Sequence, residues 1–334
     1  MRTELIAPDA AGIARAAALL RAGALVAFPT ETVYGLGANA LDRSAVARIY
    51  AAKSRPSDNP LIVHVAGPEE IGRWAEADER AWLLVDRFWP GPLTLVLPSR
   101  GLVGDGTVAL RMPAEPIAQH LLAHCARPVS APSANRSGRP SPTTAEAVLE
   151  EMDGRIEAVL AGPPATVGIE STVLDLTGPT PLILRPGDID RLQIAKALSA
   201  DVGSAGGSQR SPGTRYRHYA PDVPVRLFAG SEDWLRRELA QALLATPEAV
   251  YIGLAATAPA GARGLLAADL RELQRSLYGA LRDAEVRRVP VIAAWPAPSP
   301  EAAGVRDRLW RASGGHVTQE REREQQKEGS GEIS

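Results

Sequence analysis

The chain has 334 residues, 45% of them hydrophobic, and a formal net charge of -2. That length and apolar content suit two domains, each with a core of its own. The near balance of charge excludes a broad non-specific nucleic-acid surface and confines any polyanion contact to a local cleft.

From Asp9 an Ala- and Leu-rich run stopping at Gly23 predicts an N-capped helix, followed by a strand over Ala24 to Phe28. A helix from Ser44 to Ala52, a strand from Leu61 to Val65, helices near Pro68 to Trp74 and Asp78 to Phe88, and a strand from Leu93 to Leu97 come next. Further strands are expected at Val108 to Met112, Pro128 to Ser130, Ala158 to Ala161, Ser171 to Asp175 and Leu182 to Leu184. Helices are expected at Glu115 to Cys125, Thr143 to Met152 and Ile189 to Ser199. This is an α/β domain, residues 1–200, built on a twisted, mixed sheet. The Gly- and Ser-rich stretch that begins at Asp201 reads as a flexible linker, residues 201–222. Beyond it a new pattern starts: strand Val225 to Phe228, helix Trp234 to Leu244, strand Ala249 to Ile252, helix Leu266 to Leu281, strand Val289 to Ala294, helix Glu301 to Ala312. That order predicts a smaller parallel α/β domain over 223–316, and the polar run 317–334 reads as a disordered tail.

Cys125 is the only cysteine, which excludes an internal disulfide and a thiolate zinc site; it reads as a small buried hydrophobe. The N-terminus has no basic segment leading into an apolar core, and no run reaches the roughly 18 apolar residues of a membrane span. The expectation is a cytoplasmic protein without membrane contact.

Five segments carry the chemistry. Lys53-Ser-Arg55-Pro-Ser-Asp-Asn59-Pro leads into the apolar strand that holds His64, and the prolines favour extended backbone before them. Two cations at one strand entrance are expected to converge on an anion; the alternative is a solvated basic loop. Pro29-Thr-Glu-Thr32-Val-Tyr-Gly-Leu-Gly37 puts hydroxyls and glycines at the C-terminal end of a strand, where open α/β sheets bind ligands, although a plain capped turn has the same composition. Neither glycine-rich nucleotide signature occurs in the chain. Ser130-Ala131-Pro-Ser133-Ala-Asn-Arg-Ser-Gly-Arg-Pro-Ser141-Pro-Thr143 has the small side chains and hydroxyls of a phosphate-wrapping loop, set between a strand and a helix. Arg111, in Thr107 to Pro113, and Arg185, in Leu184 to Gly187, lie among apolar strand residues and must meet a ligand or an acidic partner. Gly168-Ile-Glu-Ser171-Thr-Val completes the set. A lone His64 in an apolar strand reads first as a hydrogen-bonded core residue, and His120 with His124, spaced i,i+4, lack an evident third metal ligand.

In this order the motifs resemble the Sua5/YrdC/YciO family in its longer Sua5 form, the threonylcarbamoyl-AMP synthases. The resemblance runs from Ala24 to Gly187, and on through Ser-Pro-Gly-Thr-Arg-Tyr216-Arg-His218-Tyr-Ala-Pro. It is weaker in the last domain, chiefly at Leu277-Tyr278-Gly-Ala-Leu-Arg282. It implies a YrdC-like fold with an appended, Rossmann-like Sua5 domain, and a nucleotidyltransferase that joins L-threonine, bicarbonate or CO2 and ATP into threonylcarbamoyl-AMP and pyrophosphate. The product would pass to the tRNA threonylcarbamoyl-transfer machinery for t6A37.

By motif, the resemblance assigns Arg55, Asn59, Thr107, Ser133, Ser141 and Arg185 to ATP, with Lys53 and Arg55 as charge-neutralising catalytic cations. Thr32, His64, Arg111, the main chain of Ala131 and Ser171 would form the threonine pocket, and Tyr216 with His218 would close over the nucleotide. Mg2+ would be carried by ATP, with no metal ligand from the protein. Two other readings remain open: a double-stranded RNA-binding module, and a carbamoyl-transfer domain of the hydrogenase-maturation type.

Overall fold

Apolar positions at helical or strand spacing, punctuated by Asp caps, set the elements. In the computed structural model, which describes residues 2–101, 106–204 and 219–320, the first domain runs β1 (Glu4–Ile6), α1 (Ala10–Arg21), β2 (Val26–Phe28), β3 (Gly35–Asn39), α2 (Arg43–Lys53), β4 (Ile62–His64), α3 (Ile71–Trp74), α4 (Glu79–Phe88), β5 (Leu93–Pro98) and β6 (Thr107–Arg111). It continues α5 (Pro116–Cys125), β7 (Val129–Ser130), α6 (Ala145–Met152), β8 (Ala158–Leu160), β9 (Thr172–Asp175), β10 (Leu182–Arg185), α7 (Arg191–Leu198) and β11 (Gly203–Ser204). The second domain is β12 (Val225–Ala229), α8 (Glu232–Ala245), β13 (Val250–Leu254), β14 (Gly264–Ala267), α9 (Leu270–Val286), β15 (Val291–Ala294), α10 (Ala303–Ala312) and β16 (Val317–Gln319). Asp9, Asp42, Asp78, Asp190 and Asp269 each accept a first-turn backbone N–H of the following helix. Such caps typically contribute about 1 kcal/mol each.

The first sheet has the order β1-β8-β2-β3-β7-β4-β6-β5-β9-β10-β11 and is mixed, with β3 and β7 antiparallel to their neighbours. The second, β14-β13-β15-β12-β16, is parallel throughout. Both agree with the expected classes.

Four differences from the sequence reading have local causes. Gly35–Asn39, without a β-branched residue, is a strand because β2 and β7 pair with it on both sides. The expected helix from Leu266 begins only at Leu270, since Gly264–Ala267 pairs with β13 and Asp269 caps the helix after it. The tail expected to be disordered from Val317 instead starts with a strand: Val317 and Thr318 pair with Leu227 and Phe228. The linker is also shorter than 201–222, because Gly203 and Ser204 pair with β10 while Tyr219 and Ala220 are buried.

The two domains share a core. Val33, Ile169 and Tyr219 pack with Leu277, Leu281, Val305 and Leu309. Two glycines allow this approach. Gly168 has φ +84, and a Cβ there would lie 2.4 Å from the Arg275 Cα; a Cβ on Gly304 would lie 2.6 Å from the Ile169 Cδ1. Among the described residues, no helix is long and apolar enough to cross a membrane.

Candidate active site

The polar loops named in the sequence come together at one place because their backbones bond to each other. Tyr34 N–H donates to Pro142 O, Leu36 N–H to Pro132 O and Ala134 N–H to Tyr34 O, while Val167 and Gly168 donate to Glu31 O and Thr32 O. The cavity so enclosed is lined by Thr32, Arg55, His64, Arg111, Ala131, Ser133, Ser171 and Arg185 among the expected residues. Thr30, Val33, Gly35, Pro60, Ile62, Pro132, Glu170 and Tyr219 complete its wall.

Arg111 stands at the end of β6, in register with His64 of β4. Its Nη1 donates to Thr32 Oγ1 (2.8 Å), its Nε to Gly91 O (3.2 Å), and its Nη2 lies 2.6 Å from Glu31. Arg111 is thus in a buried ion pair and also lines the cavity. A guanidinium carries five N–H donors, so hydrogens remain for an incoming carboxylate. His64 is buried edge-on to Phe28, and its Nδ1 has no partner among the described residues. Burial, with the adjacent Arg111 charge, pushes its pKa down to about 3, so the ring is neutral at physiological pH.

On another wall Arg185 donates to Ser171 O and Oγ, and Ser171 Oγ meets Thr94 Oγ1 (2.8 Å). Arg55 reaches Pro60 O (3.2 Å). Burial, which Tyr50 and Tyr219 only partly offset, brings the Arg55 pKa down to about 10, with a smaller contribution from the like charge of Arg185. Two desolvated cations side by side are a ready seat for an anion.

Lys53 and Arg55 do not both line the cavity, contrary to the expected convergence: Arg55 does and Lys53 does not. Lys53 is the last residue of α2, and Ser54 after it is left-handed at φ 51. The fully buried Lys53 Nζ donates to the carbonyls of Ser133 and Asn135, and burial, with the like charge of Arg55, holds its pKa well below the ordinary lysine value. It holds the 130–143 loop and is not among the lining residues. Asn59 is buried and not among the lining residues, its side-chain amide without a partner among the described residues and its main-chain carbonyl accepting from the Tyr50 hydroxyl. Thr107 is exposed at the start of β6 and does not reach the cavity. Ser141 gives its hydroxyl proton to Glu170 (2.5 Å), so in this arrangement it faces a ligand only as an acceptor. The Ala131 N–H is taken by Ile62 O. Tyr216 and His218 lie outside the described residues. His124 bonds back to the carbonyl of His120, and the described residues contain no group of three His, Cys, Asp or Glu able to hold a metal.

Residues 18–187 match the family described as Telomere recombination, and residues 189–314 the threonylcarbamoyl-AMP synthase C-terminal domain. The threonylcarbamoyl-AMP synthase of Pyrococcus abyssi is 44% identical over 295 residues, covering 84% of this chain and 87% of that protein. The Bacillus subtilis threonylcarbamoyl-AMP synthase is 41% identical over 327 residues, covering 91% and 94%. The chain belongs to the Sua5/YrdC/YciO family. It has the two-domain form: the crystal structure of P. abyssi Sua5 complexed with L-threonine aligns with TM-score 0.88 at 38% identity, covering 96% of this chain and all of that one.

Sequence reasoning about this family member missed what the second domain adds. Glu170 accepts from Tyr278 Oη of α9 (2.9 Å) and from Arg308 Nε of α10 (2.9 Å). Burial alone would raise the Glu170 pKa, but the charges of Arg308 and Arg185 and the Ser141 hydroxyl take it down to about 2. Its signal was visible only as a carboxylate within Ile-Glu-Ser-Thr, and its partners lie more than a hundred residues away in sequence.

Proposed function

We propose that this protein is a nucleotidyltransferase that forms L-threonylcarbamoyladenylate and pyrophosphate from L-threonine, bicarbonate or CO2, and ATP. The observation that carries the reading is the convergence of Arg55, Arg185 and Arg111 on one buried cavity whose walls are otherwise hydroxyls, a neutral imidazole, apolar side chains and the single carboxylate of Glu170. Arg111 with Thr32 suits the carboxylate of an amino acid by bidentate pairing. Arg55, Arg185 and Ser133 suit the phosphates of a nucleotide. The threonine amine takes up carbon dioxide as a carbamate and releases a proton. A carbamate oxygen then bonds to the α-phosphorus as the bond to pyrophosphate breaks.

Positioning of two anions and neutralisation of the leaving group supply the acceleration, with no covalent enzyme intermediate. Burial strengthens each of these charge contacts, since the effective dielectric inside is far below that of water. The donor set offers oxygen and nitrogen groups suited to anions, so a magnesium ion would arrive on the phosphates of the nucleotide, as its counter-ion. A cytoplasmic location, and delivery of the adenylate to a tRNA-modifying acceptor, belong to the same reading.

The test is pyrophosphate release by purified protein, with threonine and bicarbonate supplied together or withheld singly, alongside Arg55→Ala. Release that requires both co-substrates and falls by at least about a hundredfold in the variant supports the assignment, that loss being the order expected when a charge contact to a leaving group is removed. Release without threonine, or none, overturns it in favour of carbamoyl transfer or RNA binding.

A further inference from the structure

A cavity built for anions has one anion in its own wall. Glu170 lines it and is 6% exposed. Left to itself, a carboxylate there would repel a phosphate chain and compete with it for Arg185, whose charge already acts on Glu170. Among the described residues, the first domain supplies only the Ser141 hydroxyl as a neutral donor to it. The rest comes from the second domain, where Arg308 Nε sits at 2.9 Å and the Tyr278 hydroxyl at 2.9 and 3.2 Å from the two carboxylate oxygens.

Arg308 is held firmly for this. It is 0% exposed, its Nη1 donates to Pro186 O (2.8 Å) and to Asp307 (2.9 Å), and its guanidinium carbon lies 5.2 Å from the Tyr219 ring centre. Pro186 directly follows Arg185, so one guanidinium binds both the competing carboxylate and the backbone that carries Arg185.

We propose that Arg308 and Tyr278 are positioning residues of the nucleotide side of the site: by saturating Glu170 they keep Arg185 directed at the cavity, and the second domain is thereby part of the binding machinery. The inference rests on the reading of the cavity as an ATP and threonine site. It predicts an asymmetry, because Glu170 bonds Ser141 and directly precedes Ser171, to which Arg185 donates, whereas Arg111 has its own carboxylate partner in Glu31. Losing Arg308 therefore weakens nucleotide binding and spares threonine binding.

The experiment is steady-state pyrophosphate release with ATP and threonine varied independently, for the wild type, Arg308→Met, and Glu170→Gln combined with Arg308→Met. Arg308→Met is expected to raise the ATP KM by about tenfold or more, with the threonine KM within about twofold, since one partner of a buried charge pair is gone. The double variant has no anion left to sequester Arg185 and should return the ATP KM to within about threefold of wild type, the pair having been replaced by neutral groups. Should Arg308→Met fail to fold, Tyr278→Phe removes one donor and no charge, and is expected to raise the ATP KM about fivefold, with the threonine KM unchanged. Parallel changes in both KM values, no rescue in the double variant, or a Tyr278→Phe protein with wild-type ATP KM would each overturn the proposal and leave Arg308 as a domain latch. A wild type without threonine-dependent release counts against the ATP and threonine assignment itself, a separate result that the variants do not enter.

Discussion

Replacing Gly168 by alanine tests the domain junction most directly. Gly168 sits at φ +84, and the new Cβ would lie 2.4 Å from the Cα of Arg275, 2.5 Å from its carbonyl oxygen and 2.7 Å from its carbonyl carbon. All three are backbone atoms of α9, a helix fixed in the core by Leu273, Leu277 and Leu281, so no side chain can swing aside. The left-handed conformation costs an alanine roughly 1–2 kcal/mol, and overpacking of a filled region adds roughly 1–3 kcal/mol. The sum, about 2–5 kcal/mol, corresponds to a fall in Tm of roughly 4–20 °C for domains of this size. Differential scanning calorimetry, with pyrophosphate release assayed alongside, reads both stability and the site, because the Gly168 N–H holds Thr32 O. Gly279→Ala is the matched control. It lies on the same helix with no atom within 4 Å of the new Cβ, and should gain roughly 0.5–1 kcal/mol from helix propensity. A Gly168→Ala protein melting within about 1 °C of wild type would refute the close approach of α9 to the 167–170 loop.

Acid should destabilise the protein in two stages. Below pH 6.5 the unfolded chain protonates His64 while the native ring stays neutral down to about 3; below 4.5 the unfolded chain protonates Glu170, whose native carboxylate persists to about 2. In both ranges the unfolded state binds more protons, so stability falls as pH falls, His64 alone accounting for about 2 kcal/mol at pH 5. Urea midpoints for wild type and His64→Asn between pH 7 and pH 5 would show this, and identical pH slopes would contradict it. Arg111→Met should lose threonine dependence and also destabilise by about 3–5 kcal/mol, because Glu31 is left buried and unpaired. If Glu31→Gln restores stability to that variant but not activity, the two roles of Arg111 are separated; restoration of both would refute the carboxylate-binding role. Lys53→Met should cost about 1–3 kcal/mol through the stranded carbonyls of Ser133 and Asn135, read as a lower denaturation midpoint. An unchanged midpoint would argue that Lys53 does not hold that loop.

Much of the site was legible because its residues are few, polar and local in sequence. Arg111 and Arg185 stand at strand ends among apolar residues, which period alone marks as places that need a partner, while Thr32, His64 and Ser171 were singled out by the family resemblance, His64 by itself reading as a core residue. Lys53 read as a cavity cation because no spacing rule links it to the carbonyls of Ser133 and Asn135, 80 and 82 residues further on, that take up its Nζ. Strands β1, β3 and β14 were invisible for another reason: three to five residues with small or mixed side chains form a strand only when a neighbour offers its edge. Glu170 was passed over because its role is set by Tyr278 and Arg308, and no spacing rule links positions so far apart.

The backbone bonds that join the 29–37 loop to the 130–143 loop separate the frame of the site from its vocabulary. Tyr34 to Pro142, Leu36 to Pro132 and Ala134 to Tyr34 are held by main-chain atoms that every residue type but proline retains in full. Side chains along these loops that make no bond of their own can therefore be exchanged without moving the walls. A lineage altering Ser133 would reshape the lining while inheriting the same enclosure, whereas Thr32, whose hydroxyl accepts from Arg111, is tied into the wall itself.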